Sequence, residues 1–527
     1  MLENTAGFAD PGSASKIVEI TGTLSISDSI AVAEGRAVPV LSSDASERIV
    51  AAHGRLRTCV RQARLVYGVT TGFGPLANRQ VGTHDIQLLQ RNLIYHLATG
   101  VGDVADWVTA RMIVVARLSS IAQGVSGASP ELVARLLGLL GSPYAPRIPM
   151  KGTVGASGDL TPLAHMALAL LGEGNFIDRD GSEVSSEKVL GTIGGPFSLE
   201  SRDGLALVNG TSVMTALAVL DVRRAERLIE MAERLTVGMA EILNGRAEAW
   251  HDAFARHRPH PGQVETAKRL RLFAKGSAML VEALAAETLL NPALAAQVVE
   301  RPLQDAYTLR CAPQVIGAAR DMLATHLETT QRELNSATDN PLFPEDAPAL
   351  HGGNFMGQHI GFASDLLSNA TLTLAAFAER QIARLTDERL NEGLPAFLHQ
   401  GSCGLNSGLM GAQVTATAIL AEMRSRSVPA SMLSISTNGA NQDHVSMGTI
   451  AARNARDHLK DFSMVLSILG LAVAQGIDCR GQSNRFASAT LDLYRFVRDH
   501  SETLTEDRPL SPDILRLADA ILNTDPF

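Results

Sequence analysis

Residues 212–243 read SVMTALAVLDVRRAERLIEMAERLTVGMAEIL, a run without proline that is closed by Asn244-Gly245. Ala, Leu, Arg and Glu are strong helix formers, and Asn-Gly is a good C-terminal stop, so the stretch predicts one long helix. Residues 358–390 predict a second, with Leu366, Ala370, Leu374, Phe377 and Leu385 on one face and a stop at Gly393-Leu394-Pro395. Helical spacing recurs at 85–99, 107–123, 313–335, 411–424, 448–475 and 512–522. The longest apolar stretch, 464–474, is too short to span a bilayer and reads as a buried core helix. Helices this long rarely bury their apolar faces within one small chain, so bundling between subunits is expected.

Towards the N-terminus the texture changes. Residues 1–16 are small, polar and punctuated by Gly and Pro, and are expected to form a loose tail. Residues 17–208 mix short apolar runs, helical pieces and many glycines, with short strands expected at 17–20 and 38–40. Residues 209–527 carry the long helices. The fold class is therefore mainly α, an N-terminal globular region followed by a long-helix bundle.

Composition narrows the function. The 527 residues are 45% hydrophobic, 19% charged and only 4% aromatic, which is globular and favours closely packed helices. The net charge of −9 is spread without basic runs, which argues against nucleic acid and against acidic membrane surfaces. Cys59, Cys311, Cys403 and Cys479 are widely spaced and are read as reduced, mostly buried thiols of a cytoplasmic protein. The start, Met1-Leu2-Glu3-Asn4, lacks the pattern of a secretion signal. His351 and His359 lie on no H-E-x-x-H frame, and His257 and His260 flank prolines, so no metal is expected. Small-molecule chemistry remains.

That chemistry concentrates in Gly152-Thr153-Val154-Gly155-Ala156-Ser157-Gly158-Asp159-Leu160-Thr161-Pro162-Leu163. Its plain reading is a glycine turn capped by Asp159 or Thr161 before a helix at Pro162. A second reading is chemical. With no side chain on Gly158, its amide nitrogen can approach the Ala156 carbonyl carbon and close a five-membered ring. Dehydration of Ser157 then leaves an exocyclic methylidene, an electrophile made without external cofactor. A tight, strained loop would force that attack.

With this motif the chain resembles the aromatic amino acid ammonia-lyases and related aminomutases, which carry a methylidene-imidazolone and share the histidine ammonia-lyase-like fold. The resemblance extends over nearly everything after residue 20. It implies that Ala156, Ser157 and Gly158 form the electrophile. In Tyr67-Gly68-Val69-Thr70-Thr71-Gly72-Phe73-Gly74 it implies a mobile lid whose Tyr67 is the base, with Gly74 beside the substrate. An ordinary phenol, with a pKa near 10, is a poor base at neutral pH, so helix N-termini or cationic neighbours are expected to favour its anion. Asn209, in Ala206-Leu207-Val208-Asn209-Gly210, reads either as a helix N-cap or, by resemblance, as the donor to the imidazolone oxygen. In Gln304-Asp305-Ala306-Tyr307-Thr308-Leu309-Arg310 the resemblance makes Arg310 the carboxylate clamp, Gln304 a substrate contact and Tyr307 a second tyrosine near the electrophile. Asn340 would assist the carboxylate, and Leu160 and Phe355 would wall the substrate.

Two positions speak to the substrate. The resemblance places His96-Leu97 at the selectivity position, where histidine enzymes carry Ser-His, phenylalanine enzymes usually Phe-Leu and tyrosine enzymes His-Leu. An imidazole there can bond a phenolic hydroxyl; left unpaired it costs on the order of 1–3 kcal/mol, roughly tenfold to a hundredfold in kcat/KM. Gln442 stands where histidine enzymes have a glutamate. Residues 66–79 look closer to bacterial tyrosine ammonia-lyases, and the chain has no length for the added shielding domain of large plant and fungal enzymes. The implied reaction is non-oxidative deamination of L-tyrosine to trans-4-coumarate and ammonia, with L-phenylalanine to trans-cinnamate beside it. A 2,3-aminomutase uses the same parts with a lid that stays shut longer. A histidine ammonia-lyase is disfavoured, and a non-enzymatic scaffold would need a broken triplet. The family also implies a homotetramer with shared active sites.

Overall fold

In the computed structural model, which describes residues 16–281 and 303–527, strands β1 (Lys16–Ile20) and β2 (Ala37–Leu41) pair in parallel, Ile17 opposite Val38. Residues 1–15 of the expected tail lie outside the described residues, and Lys16 already belongs to β1. Two shorter strands, β3 (Val101–Val104) and β4 (Pro149–Lys151), pair antiparallel and deliver the chain into the glycine motif. Val101-Gly102-Asp103-Val104 and Pro149-Met150-Lys151 lack the β-branched apolar pattern of 17–20 and 38–40, so the sequence does not mark them as strands.

The helices dominate, and most formed where the spacing put them. Those that matter here are α1 (Ile86–Leu97), α2 (Trp107–Ile121), α3 (Leu160–Leu170), α4 (Asp203–Val208), α5 (Ser212–Ile242), α6 (Ala312–Leu334), α7 (Gln358–Thr386), α8 (Met410–Ser425), α9 (Gly448–Arg480) and α10 (Ser511–Asn523); others, such as Ser43–Arg61 and Pro130–Leu140, precede them or lie between them. Helix α5 stops as its sequence demands. Asn244 takes a left-handed φ of 48°, and the Gly245 amide reaches back to the Ala240 carbonyl at 2.7 Å. Helix α7 stops earlier than expected, at Thr386. There the Asp387 carboxylate takes the Arg389 amide and guanidinium, a local alternative to the helical bond. Helix α9 runs past Gln475 to Arg480, and Gly476 within it is a packing glycine: a β-carbon there would sit 2.9 Å from Ile242. By length and composition α9 is apolar enough to cross a membrane, yet 83% of its most apolar part is buried inside the fold.

The chain divides into two compact units. The first takes the described part of Met1–Leu220 with His326–Asp365 and Pro429–Arg453, and the second takes Asp221–Thr325, Leu366–Val428 and Asn454–Phe527. The whole of 17–208 lies in the first, but several boundaries fall inside long helices, where no composition shift marks them. The first unit's core gathers Val18, Ile20, Ile113 and Leu163, with α2 buried on all sides. The second packs Leu235, Ile382, Phe462 and Leu469 from three long helices. Of the cysteines, all free, only Cys59 is buried and Cys403 is exposed, a correction to the expectation of mostly buried thiols.

Candidate active site

The glycine motif leaves β4 and enters α3 through a turn that few sequences could adopt. Gly155, Ser157 and Gly158 have φ of 78°, 53° and 77°, and for Ser157 that left-handed conformation is strained. The Thr153 hydroxyl closes the turn, donating to the Gly158 carbonyl and accepting the Gly155 amide, both at 3.0 Å. Ala156 packs on the cluster of Val445, Met447 and Ala451. Gly158 lies against Gly210 so tightly that a β-carbon would stand 2.1 Å from the Gly210 carbonyl oxygen. Backbone cannot yield as a side chain can. Gly158→Ala is therefore expected to lower Tm by several degrees or prevent folding. Thermal melts beside wild type check it; an unchanged Tm in a soluble variant would contradict the close packing.

Asp159 does not cap α3, which starts at Leu160 without a side-chain cap. Its carboxylate instead accepts the Val213 and Met214 amides at 2.8 and 2.9 Å, capping the buried start of α5, and takes the Thr449 hydroxyl. Burial pushes the Asp159 carboxyl up to about 6, opposed by those bonds. Asn209 is no N-cap either: it closes α4, and its Nδ2 donates to the Asn340 carbonyl at 2.7 Å. Its Oδ1 is buried with no partner among the described residues.

Beneath these loops run two buried arginines. Arg117 gives Nη1 to the Asn209 carbonyl at 2.6 Å. Arg202 forms a two-pronged pair with Asp339 at 2.6 and 2.9 Å and also donates to the Asn340 carbonyl at 2.7 Å. Both partners of that pair are dry, so losing either would leave a bare charge and cost about 3–5 kcal/mol. The geometry of Asn209 and Asn340 is thus rigidly set.

Tyr67 lies on a loop between Val66 and Val81. Its Oη accepts the Gly74 amide at 3.0 Å, and its ring meets Phe73 edge-on. The expected helix N-terminus or cation is replaced, among the groups bonded to that oxygen, by a single amide. Buried Gln90 of α1 fastens the loop, donating to the Gly68 carbonyl at 2.7 Å and accepting the Leu205 amide at 2.9 Å. Gly74 abuts the turn that carries Gln442, a β-carbon there falling 2.9 Å from Asn438. Leu97, Leu160, Tyr67 and Phe73 all pack on one core.

His96 is exposed, with Nδ1 3.0 Å from the Asn92 carbonyl. A carbonyl only accepts, so Nδ1 carries the hydrogen and Nε2 keeps a lone pair for a hydroxyl. Phe355 is partly buried. In the second unit, Tyr307 and Arg310 share one helical turn; Tyr307 is 69% exposed, with the Arg310 guanidinium 4.6 Å from its ring centre. Arg310 Nη1 is held by Gln304, while its Nε is buried with no partner among the described residues. Sequence reasoning missed Thr153, Gln90, Arg117 and His351. Each acts through backbone atoms, Thr153 within its own turn and the other three far away in sequence, a signal that residue type alone does not carry.

A mainly helical chain organised this way has the architecture of the tyrosine aminomutase from Streptomyces globisporus, whose crystal structure it matches with a TM-score of 0.90 and 39% identity over 96% of each chain. The chain belongs to the aromatic amino acid lyase family, which it matches over residues 24–499, and is a carbon–nitrogen lyase. It is similar to the tyrosine ammonia-lyase of Cereibacter sphaeroides, 52% identical across 97% of this chain and 98% of that protein. It is also similar to the MIO-dependent tyrosine 2,3-aminomutase of Streptomyces globisporus, 43% identical across 86% of this chain and 85% of that one.

Proposed function

We propose that this enzyme deaminates L-tyrosine without oxidation, releasing trans-4-coumarate and ammonia, and accepts L-phenylalanine less well. The observation that carries the reading is the turn at Ala156-Ser157-Gly158, left-handed at Ser157 and too close to Gly210 for any side chain on Gly158. Those residues fit a methylidene-imidazolone formed autocatalytically. The Gly158 nitrogen bonds the Ala156 carbonyl carbon with loss of one water, and Ser157 loses its hydroxyl as a second. Asn209 Nδ2 gives one hydrogen to the Asn340 carbonyl and has a second for the imidazolone oxygen. When present, that group supplies an electrophilic carbon for the substrate amine, making it a leaving group.

The chain's own residues do the rest. Tyr67 takes the β-proton on its Oη, to which the Gly74 amide already donates. By the family resemblance Arg310, whose Nη1 is held by Gln304, clamps the carboxylate, and Asn340 assists it. His96 offers Nε2 to the phenol, while Leu97, Leu160, Phe355, Gly74 and Gln442 line the ring. Tyr307, largely exposed in one chain, suits a homotetramer in which several copies complete each site. A cytoplasmic location fits the free cysteines.

Incubation with tyrosine, phenylalanine and histidine tests the reading: coumarate from tyrosine at the highest kcat/KM is expected, and urocanate as the main product would sink it. Similarity to an aminomutase favours a second reading, which β-tyrosine as the main product would establish. His96→Phe is expected to shift kcat/KM from tyrosine towards phenylalanine by roughly ten- to a hundredfold. An unmoved ratio would take His96 out of the pocket.

A further inference from the structure

Three successive amides at the base of the lid are taken by side chains. Thr70 accepts from Val66 at 2.8 Å and Thr71 from Gly68 at 3.1 Å, both within the loop itself. The middle one, on Tyr67, donates to Nε2 of His351 at 3.2 Å, across 284 residues of sequence. His351 is itself gripped on both sides. On one side Leu350 and Leu342 exchange two backbone bonds of 2.9 Å; on the other the Gly352 amide donates to Asn340 Oδ1 at 2.7 Å. Asn340 in turn gives its carbonyl to Asn209 and to Arg202 of the buried ion pair.

We propose that His351 is a positioning residue, which sets the backbone of Tyr67 against the Asn209–Asn340 frame so that the phenol approaches the substrate at one fixed depth. The proposal rests on the function given above. Through Asn209, Asn340, Gly352 and His351, side-chain and backbone bonds connect the loop beside the electrophile triplet to the residue that removes the proton. Only an unprotonated Nε2 can accept an amide, and partial desolvation of the otherwise exposed ring lowers the proton affinity of His351, in the sense that keeps this acceptor. No other side chain bridges the Tyr67 amide to the Asn340 loop among the described residues. The bond matters because a small displacement of a general base costs rate more than affinity.

The test compares His351→Leu, which has no acceptor, with His351→Gln, whose Oε1 can occupy the place of Nε2. Intact mass first records whether each protein has lost two waters. In matured His351→Leu, kcat for tyrosine is expected to fall about tenfold, with KM moved much less, and hydrogen exchange of the peptide spanning Tyr67 should speed up by a similar factor. His351→Gln should keep kcat within about threefold and keep the exchange slow. Wild-type kcat and exchange in the leucine variant would overturn the proposal, as would a glutamine variant impaired equally. Exchange needs no turnover, so it also reads a variant that has not matured. A wild-type protein at its full encoded mass would instead overturn the function, leaving the hydrogen-bond comparison intact.

Discussion

Ser157→Ala is expected to abolish deamination, by on the order of 10⁴-fold or more, the scale on which removing the covalent group of a catalyst acts. Without the hydroxyl nothing can leave from the side chain, so no methylidene forms. The backbone should hardly notice. Serine and alanine both carry a β-carbon, so each bears about the same strain at a φ of 53°, and the neighbouring glycines are untouched. Tm should stay close to wild type, which separates this variant from Gly158→Ala. Intact mass gives the chemical readout: wild type should be lighter than encoded by two waters, and the variant by one at most. Coumarate formation at a wild-type rate by the variant would end the electrophile reading.

Tyr67→Phe is expected to lower kcat for tyrosine by about 10²–10⁴-fold, the usual range for losing a general base. The ring can keep its edge-on contact with Phe73, at 6.2 Å between centres, so substrate should still bind and KM should change little. The Gly74 amide loses its acceptor, which adds local loosening on the order of 1 kcal/mol. The electrophile is formed by other residues, so the two water losses should persist. A matured variant with undiminished kcat would move the base elsewhere in the chain.

The long helices were legible because a period of 3.6 written over thirty residues averages out local accidents. The stop of α5 was legible for a different reason: Asn244 and Gly245 adopt the left-handed cap that their residue types favour. The stop of α7 was not, because Asp387 and Arg389 form a local bond that periodicity does not weigh. Asp159 shows the same limit within the site. As a residue type it reads as a cap for the helix that follows it, yet it caps α5, more than fifty positions on. Asn209, open between cap and donor, turned out to close α4 and to bond Asn340.

The residue chemistry of this enzyme is local and could be read directly. A tripeptide able to cyclise, a tyrosine in a glycine loop, an arginine beside a glutamine and a His-Leu pair are each written within a few positions. What they are fastened to is written nowhere in one stretch. The depth of Tyr67, the strain on Ser157 and the aim of Asn209 depend on His351, Gly210, Arg117 and Arg202. Those partners matter through backbone carbonyls and amides, which every residue has alike, so only the folded arrangement selects which of them meet.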